Sequence, residues 1–249
     1  MAIESSIVSF ILIGFLAQIV DGALGMGYGV FSTSVLLSLG IPPALASASV
    51  HTAEVFVTGV SGLAHLGNGN VERRLVLRLI IPGVLGGILG AYVLTQVPGE
   101  KVRPVVAIYL FVMGALILRR ALGRRASVRG GAALGPIGIR RGLPRLHRRG
   151  GGWGPIVTST LVAQGQAPHL AVGSVSVTEF FVTLAQAGTF LAVLQWVHWP
   201  VAIGLLIGGV LAAPLAAYVC RRLPARVLMG LIGGLILVLS LRLIVRAVS

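Results

Sequence analysis

Apolar runs of about 20 residues recur along the chain. A helix rises 1.5 Å per residue, so about 20 residues cross the roughly 30 Å hydrocarbon core of a bilayer. Only 10% of the residues are charged, whereas soluble domains carry roughly 25%. The sequence therefore predicts an all-α, polytopic transmembrane helix bundle. The long runs cover residues 7–24, 44–66, 75–97, 102–122, 170–197, 201–219 and 227–245.

Two further apolar segments, residues 30–39 and 156–163, are too short to span a bilayer as helices. Each follows a glycine-rich stretch. Backbone that interrupts a helix at membrane depth is tolerated only where protein or a water-filled cavity satisfies its polar groups. We therefore predict that both segments are broken or re-entrant helices buried in the bundle.

The chain contains an internal duplication. Residues 27–58 align without a gap on residues 152–183, with nearly half of the positions identical, and residues 91–93 match 217–219. Duplication around short, glycine-interrupted segments is typical of secondary transporters, whose substrate site lies between the repeats. The predicted units are a first transmembrane repeat (1–122), a basic linker (123–150) and a second transmembrane repeat (151–249).

The net charge of +14 describes topology rather than a nucleic-acid partner. Ten arginines lie between Arg119 and Arg149, and without them the formal charge is +14 minus 10, or +4. Other arginines cluster in the loops near residues 73–78 and 221–226. Because short loops rich in Arg and Lys stay in the cytoplasm, these loops are predicted to be cytoplasmic. If each repeat is a re-entrant hairpin plus three spans, this orientation places both termini outside and gives the two repeats opposite topology.

The two glycine-rich turns are the first candidate site. Each opens a short segment, so free backbone N–H groups and the positive end of the helix dipole can face an anion, with nearby hydroxyls as neutral donors. In the alternative interpretation, the glycines serve close helix packing and the hydroxyls bond to helix carbonyls. The predicted substrate-binding residues are Gly27, Gly29, Ser32, Thr33 and Ser34 in the first half, and Gly152, Gly154, Thr158, Ser159 and Thr160 in the second.

Acidic residues inside the apolar segments form the second candidate site. Glu54 and Glu179 are equivalent in the two repeats, and Asp21 precedes the first glycine turn. An intramembrane acid is costly and therefore indicates function by default. Such an acid repels an anion when ionised and can bind it when protonated, which allows proton coupling. His51, one turn before Glu54, is a candidate to share a proton with it. The alternative is a structural hydrogen bond between helices.

Other chemistry is not indicated by the sequence. The His, Cys and carboxylate residues show no recognisable metal spacing, and no Walker sequence, nucleophile elbow or zinc-protease helix is present. We therefore predict neither a metal, a cofactor nor an enzymatic activity.

The glycine turns and acidic blocks resemble those of the TauE/SafE family of sulfite-exporter-like membrane permeases. The resemblance implies a bundle of about eight spans built from two inverted repeats. It also implies export of sulfite, sulfoacetate or related sulfur oxyanions with a proton gradient. Its carriers are the stretches 22–29 and 151–160, and the paired blocks ending Thr52-Ala53-Glu54 and Val177-Thr178-Glu179-Phe180-Phe181.

One part of the chain departs from the family pattern. Where the second half should carry an apolar helix with Gly and Asp, mirroring residues 12–24, this chain has the basic stretch 143–149. One codon choice for residues 144–149, read one base later, encodes Leu-Asp-Ser-Ile-Gly, which is family-like. We therefore hypothesise that part of the segment 123–149 is out of frame.

These patterns predict a secondary transporter in the plasma membrane that moves a small anion, such as sulfite or a sulfonate, by alternating access. The expected partners are the anion and the lipid bilayer, with no nucleic acid, and the sequence leaves room for a homo-oligomer. Two alternatives stay open, an anion-permeable channel and a membrane scaffold that transports nothing.

Overall fold

The computed structural model describes residues 7–24, 27–122, 157–158, 160–161, 165–195, 197–222 and 225–248. Within these residues the regular structure is entirely α-helical, as the apolar pattern predicted. The predicted linker 123–150, including the segment suspected to be out of frame, lies outside the described residues. Eight helices follow one another in these parts of the chain: α1 (Ile7–Leu24), α2 (Tyr28–Ser38), α3 (Pro43–Gly67), α4 (Arg73–Gln96), α5 (Gly99–Leu122), α6 (Pro168–Leu194), α7 (Trp199–Arg222) and α8 (Ala225–Val248).

Helix α2 is the short segment expected from the sequence. Its 11 residues rise only about 16 Å, roughly half the thickness of a bilayer core. A turn at Gly40, which has a φ of 91°, separates it from α3. The corresponding short segment of the second half is helical at residues 157–158 and 160–161 and is followed by Gly165, also with a φ of 91°. Glycine suits both turns because it lacks the Cβ that disfavours a positive φ.

In the part of the chain that the structure describes, three helical stretches are long and apolar enough to cross a membrane: Arg73–Gln96, Gly99–Arg119 and His169–Leu194. Many large apolar side chains on the helices point outward. Leu63, Ile81 and Leu89, for example, are 70%, 66% and 64% exposed. Apolar surface on this scale is unfavourable in water and favourable in lipid. The chain is therefore a helical membrane protein.

The bundle is built from a few extensive helix pairs. Helix α1 packs along α7, α5 along α8, and α6 lies against both α3 and α4, while α3 also contacts α7. Helices α3 and α6 run antiparallel. His51 near the start of α3 stacks on Phe190 near the end of α6, and a Cβ built at Gly62 would lie 3.4 Å from Val177, near the start of α6. The broken segment α2 contacts α1, α3 and α8, so it is enclosed by longer helices.

At α6 the apolar run continues beyond the end of the helix. The apolar run extends to residue 197, but the helix stops at Leu194 because Gln195 adopts a left-handed conformation with a φ of 52°. The amide of Gln195 donates to the carbonyl of Leu191 and closes the last turn. Hydropathy carries no information on this stop, since Val197 beyond it is apolar and buried.

Candidate functional site

The first glycine turn places a carboxyl group at the start of α2. Gly27 has a φ of 120°, and the chain enters α2 at the next residue. The backbone N–H of Tyr28 donates to Oδ1 of Asp21 at 3.4 Å, and both residues are buried. The first N–H groups of a helix have no partner within the helix and attract negative charge. Asp21, from the last turns of α1, supplies that negative group here.

Glu54 approaches the same turn from α3. The residue is 8% exposed, and a Cβ built at Gly29 would lie 3.7 Å from both of its carboxyl oxygens. Nδ1 of His51 lies 3.0 Å from Oε2 of Glu54, so these two groups share a hydrogen bond. The His51 ring is stacked on Phe190 of α6, with 8° between the ring planes. The predicted pairing of His51 with Glu54 is thus present.

Glu179 completes a group of three acids. It lies on α6 and interacts electrostatically with Asp21 and with Glu54, which also interact with each other. Asp21 of α1 and Glu54 of α3 therefore meet at the start of α2, and Glu179 of α6 lies close enough to both for their charges to interact. The sequence identified all three residues, but only the fold brings Asp21, which has no acidic counterpart in the second half, together with the equivalent pair.

The hydroxyls of the first half have different environments. Ser34 donates to the carbonyl of Val30 at 2.7 Å, as the packing interpretation expects. Ser32 is fully buried, and its Oγ has no hydrogen-bond partner among the described residues. Thr33 is partly buried. Ser32 is therefore a buried hydroxyl of the first half with spare hydrogen-bonding capacity, about one turn beyond the start of α2.

The second glycine turn is described only in part. Gly152, Gly154 and Ser159 lie outside the described residues. Thr158 is buried at 2% exposure and Thr160 is partly buried, both in the short helical segment before Gly165. Among the described residues, no three His, Cys, Asp or Glu side chains are arranged to hold a metal ion.

Two features of the site were not singled out from the sequence. The hydroxyl of Tyr28 donates to the carbonyl of Leu205 at 2.9 Å and ties α2 to α7. Thr58 and Thr183, equivalent in the duplication, place their Oγ1 atoms 3.5 Å apart where α3 crosses α6. Tyr28 stands between two glycines in the sequence, and that position was the available signal for its contact with α7. A buried tyrosine usually needs a hydrogen-bond partner for its hydroxyl. The threonines belong to the repeat pairs, but sequence identity does not reveal contact.

Comparisons with known proteins identify the family of the chain. The sulfite exporter TauE/SafE family matches residues 10–243 of the chain. A protein of Bacillus subtilis (strain 168), named probable membrane transporter protein YtnM, is 38% identical over 256 aligned positions, which cover 96% of this chain and 83% of that protein. No solved structure matches the chain. The resemblance seen in the glycine turns and acidic blocks is confirmed: the chain is a membrane transporter that belongs to the sulfite exporter TauE/SafE family.

Proposed function

We propose that this transporter moves a small sulfur oxyanion, sulfite or a sulfonate, across the plasma membrane by alternating access coupled to protons. The family name supports the substrate class. The observation that carries the proposal is that Asp21 and Glu54 meet at the start of a broken helix, with the charge of Glu179 close to both. Such a site combines donors for an anion with groups that take up protons.

Two inverted repeats, residues 1–122 and 151–249, provide the alternating movement in this proposal. Helices α3 and α6, which are equivalent in the duplication, run antiparallel, and the equivalent residues Thr58 and Thr183 meet where they cross. This is the arrangement expected around a twofold axis lying in the membrane plane. Helices α4 and α7 begin 126 residues apart, as do α5 and α8, which also supports duplication of the whole unit.

Proton coupling in this proposal follows from the carboxyl groups at the start of α2. Asp21 accepts the hydrogen bond of the Tyr28 amide, so an incoming anion competes with this carboxylate for the donor. When ionised, Asp21 and Glu54 also repel the anion; when protonated, they become donors. Anion entry therefore requires proton uptake, and Ser32 adds a neutral hydroxyl. His51 passes the proton to or from Glu54 across their 3.0 Å hydrogen bond.

The second glycine turn supplies the other half of the proposed site. Gly152 and Gly154 are assigned to it by their equivalence to Gly27 and Gly29, and Ser159 by its place in the short segment that follows them. Thr158 and Thr160 add hydroxyls in the same segment. The first half holds Asp21 at its turn, whereas the residue 125 positions later is Leu146. In the sequence as it stands the second turn thus carries less negative charge, whereas the alternative reading frame of residues 144–149 would supply an Asp near the position equivalent to Asp21.

The test is sulfite flux into proteoliposomes containing the purified protein. We expect saturable uptake that increases when the pH gradient is imposed in one direction and is lost when it is collapsed. Glu54→Gln and Glu179→Gln should each remove the dependence of uptake on the pH gradient. The matched control is Glu100→Gln, at an exposed position in the first turn of α5, which should preserve this dependence. Unsaturable, ohmic sulfite conductance would instead identify a channel. Absence of flux across sulfite, sulfoacetate, sulfate and carboxylates would favour the non-transporting scaffold.

A further inference from the structure

The loop between α3 and α4 is fastened to the start of α6 by three contacts. The backbone N–H of Glu72 donates to Oγ of Ser174 at 2.8 Å. The carboxylate of Glu72 accepts a hydrogen bond from the side-chain amide of Gln166. Gly173 permits the third contact, because a Cβ built there would overlap the carbonyl of Asn70. We call this set the α4 latch, since Glu72 is the residue that caps α4.

The duplication provides a second set of residues, equivalent to the α4 latch, near the start of α3. Ser49 corresponds to Ser174, and Ile41 to Gln166, at an offset of 125. His198 corresponds to Glu72 at an offset of 126. Its carbonyl accepts the amides of residues 201 and 202 at the start of α7, just as the Glu72 carbonyl accepts those of residues 75 and 76. Ser49, Ile41 and His198 together are the α7 latch.

The two latches are in different states. Ser174 and Ser49 are both fully buried, yet the Ser174 hydroxyl accepts the Glu72 amide whereas the Ser49 hydroxyl has no hydrogen-bond partner among the described residues. Burying an unpaired hydroxyl is unfavourable. A conformation in which the His198 amide reaches Ser49 would satisfy it. Because α3 and α6 are antiparallel, the two latches lie at opposite ends of this helix pair.

We propose that the α4 and α7 latches close alternately, with the His198 amide bonding to Ser49 when the Glu72 amide leaves Ser174. This inference rests on the proposed alternating access. The positioning residues are the two serines, Ser49 and Ser174, and the residues before the two helices, Glu72 and His198. The structure is the state with the α4 latch closed. The Glu72 carboxylate has Gln166 as a partner, whereas His198 would meet the apolar Ile41. The α4 latch is therefore the tighter of the two.

Cross-linking of the full-length protein in membranes with a short bifunctional thiol reagent tests the exchange without using a substrate. Such a reagent is needed because the Glu72 and Gln166 side chains meet at their ends, whereas a direct disulfide requires closely spaced backbones. In a Cys220→Ser background, the pair Glu72→Cys with Gln166→Cys reports the α4 latch. The pair His198→Cys with Ile41→Cys reports the α7 latch. We expect the first pair to cross-link rapidly and the second slowly. Adding Ser174→Ala to the second pair should accelerate its cross-linking about fivefold, the factor that corresponds to the loss of one hydrogen bond. Gly173→Ala should accelerate it further.

The control is Gly90→Ala, where an added Cβ would meet nothing within 4 Å. It should leave both rates unchanged. If the α7 pair cross-links at the same rate with and without Ser174→Ala, or never cross-links, the latches do not exchange and the inference is wrong. Ser174→Ala removes a single hydroxyl, so it decides the question even where Gly173→Ala prevents folding. Sulfite flux plays no part in this readout, so failure of the latch exchange and failure of the proposed transport are separate results.

Discussion

Ser32 and Ser34 lie two positions apart on one short helix, and their hydroxyls differ in hydrogen bonding. Ser34 is bonded to the Val30 carbonyl, whereas the buried Ser32 hydroxyl has no partner among the described residues. We predict that Ser32→Ala raises the KM for sulfite uptake about fivefold, because a hydrogen bond to the anion contributes roughly 1 kcal/mol, and leaves the protein no less stable. Ser34→Ala is the matched control and should leave KM unchanged. Equal effects of the two variants on uptake would place Ser32 in the packing of α2.

Tyr28 joins α2 to α7 through one hydroxyl. It is fully buried, and its bond to the Leu205 carbonyl links residues 177 positions apart. Tyr28→Phe removes only the hydroxyl, so we expect a loss of about 0.5–1.5 kcal/mol in the free energy of unfolding in detergent micelles. Tyr92→Phe, at a half-exposed position on α4, should change it by less than about 0.5 kcal/mol. A larger loss at Tyr92 would contradict this account of Tyr28.

Individual residues also show how much of the site could be predicted from the sequence. Asp21, Glu54 and Glu179 stand out because charge in an apolar run is rare, so the acidic part of the site was predictable. The hydrogen bond from the Tyr28 amide to Asp21, and the fit of Glu54 against Gly29, depend on how α1 and α3 cross α2. Those crossings arise from packing between segments distant in the sequence, which hydropathy does not encode.

Small residues set the spacing between α1 and α7. A Cβ built at Gly208 would overlap the carbonyl of Ile11, and one at Gly204 would lie 2.5 Å from Cβ of Phe10. Without a hydrophobic drive between helices in lipid, such close backbone contact provides much of the attraction. We predict that Gly208→Ala lowers the free energy of unfolding by about 1–3 kcal/mol because the helices must separate. Gly90→Ala, in open space on α4, should leave it unchanged or slightly raised. Thermal unfolding in detergent distinguishes the two; an unchanged Gly208 variant would show that the contact relaxes freely.

Most helices were predictable as elements. The run 7–24 coincides with α1, and the short run 30–39 with α2 to within two residues at its start. The periodicity of the chain does not reveal which helices touch. Helix α1 pairs most extensively with α7 from the other half, and much less with its sequence neighbour α2. Its contacts are carried by glycines, whose role in packing appears only when an opposing backbone is present.

The whole molecule has two ends, and the latches identify which loops belong to each. The α3–α4 loop lies against the start of α6, because the Glu72 amide bonds to Ser174 and Asn70 abuts Gly173. Since α3 and α6 are antiparallel, the α6–α7 loop leaves at the other end, close to the start of α3. Arginines follow the α3–α4 loop at residues 73, 74 and 78. The positive-inside rule then puts that loop in the cytoplasm and the α6–α7 loop outside.

Labelling of intact cells with a membrane-impermeant maleimide tests this arrangement. In a Cys220→Ser background, Gln195→Cys, exposed in the α6–α7 loop, should react from outside, while Asn68→Cys, exposed in the α3–α4 loop, should react only after the membrane is permeabilised. The opposite pattern would reverse the orientation but keep the repeats inverted, because the two loops would still differ. Labelling of both positions from the same side would contradict the inverted repeats. If antiparallel α3 and α6 both span the membrane, the loops that follow them must lie on opposite sides.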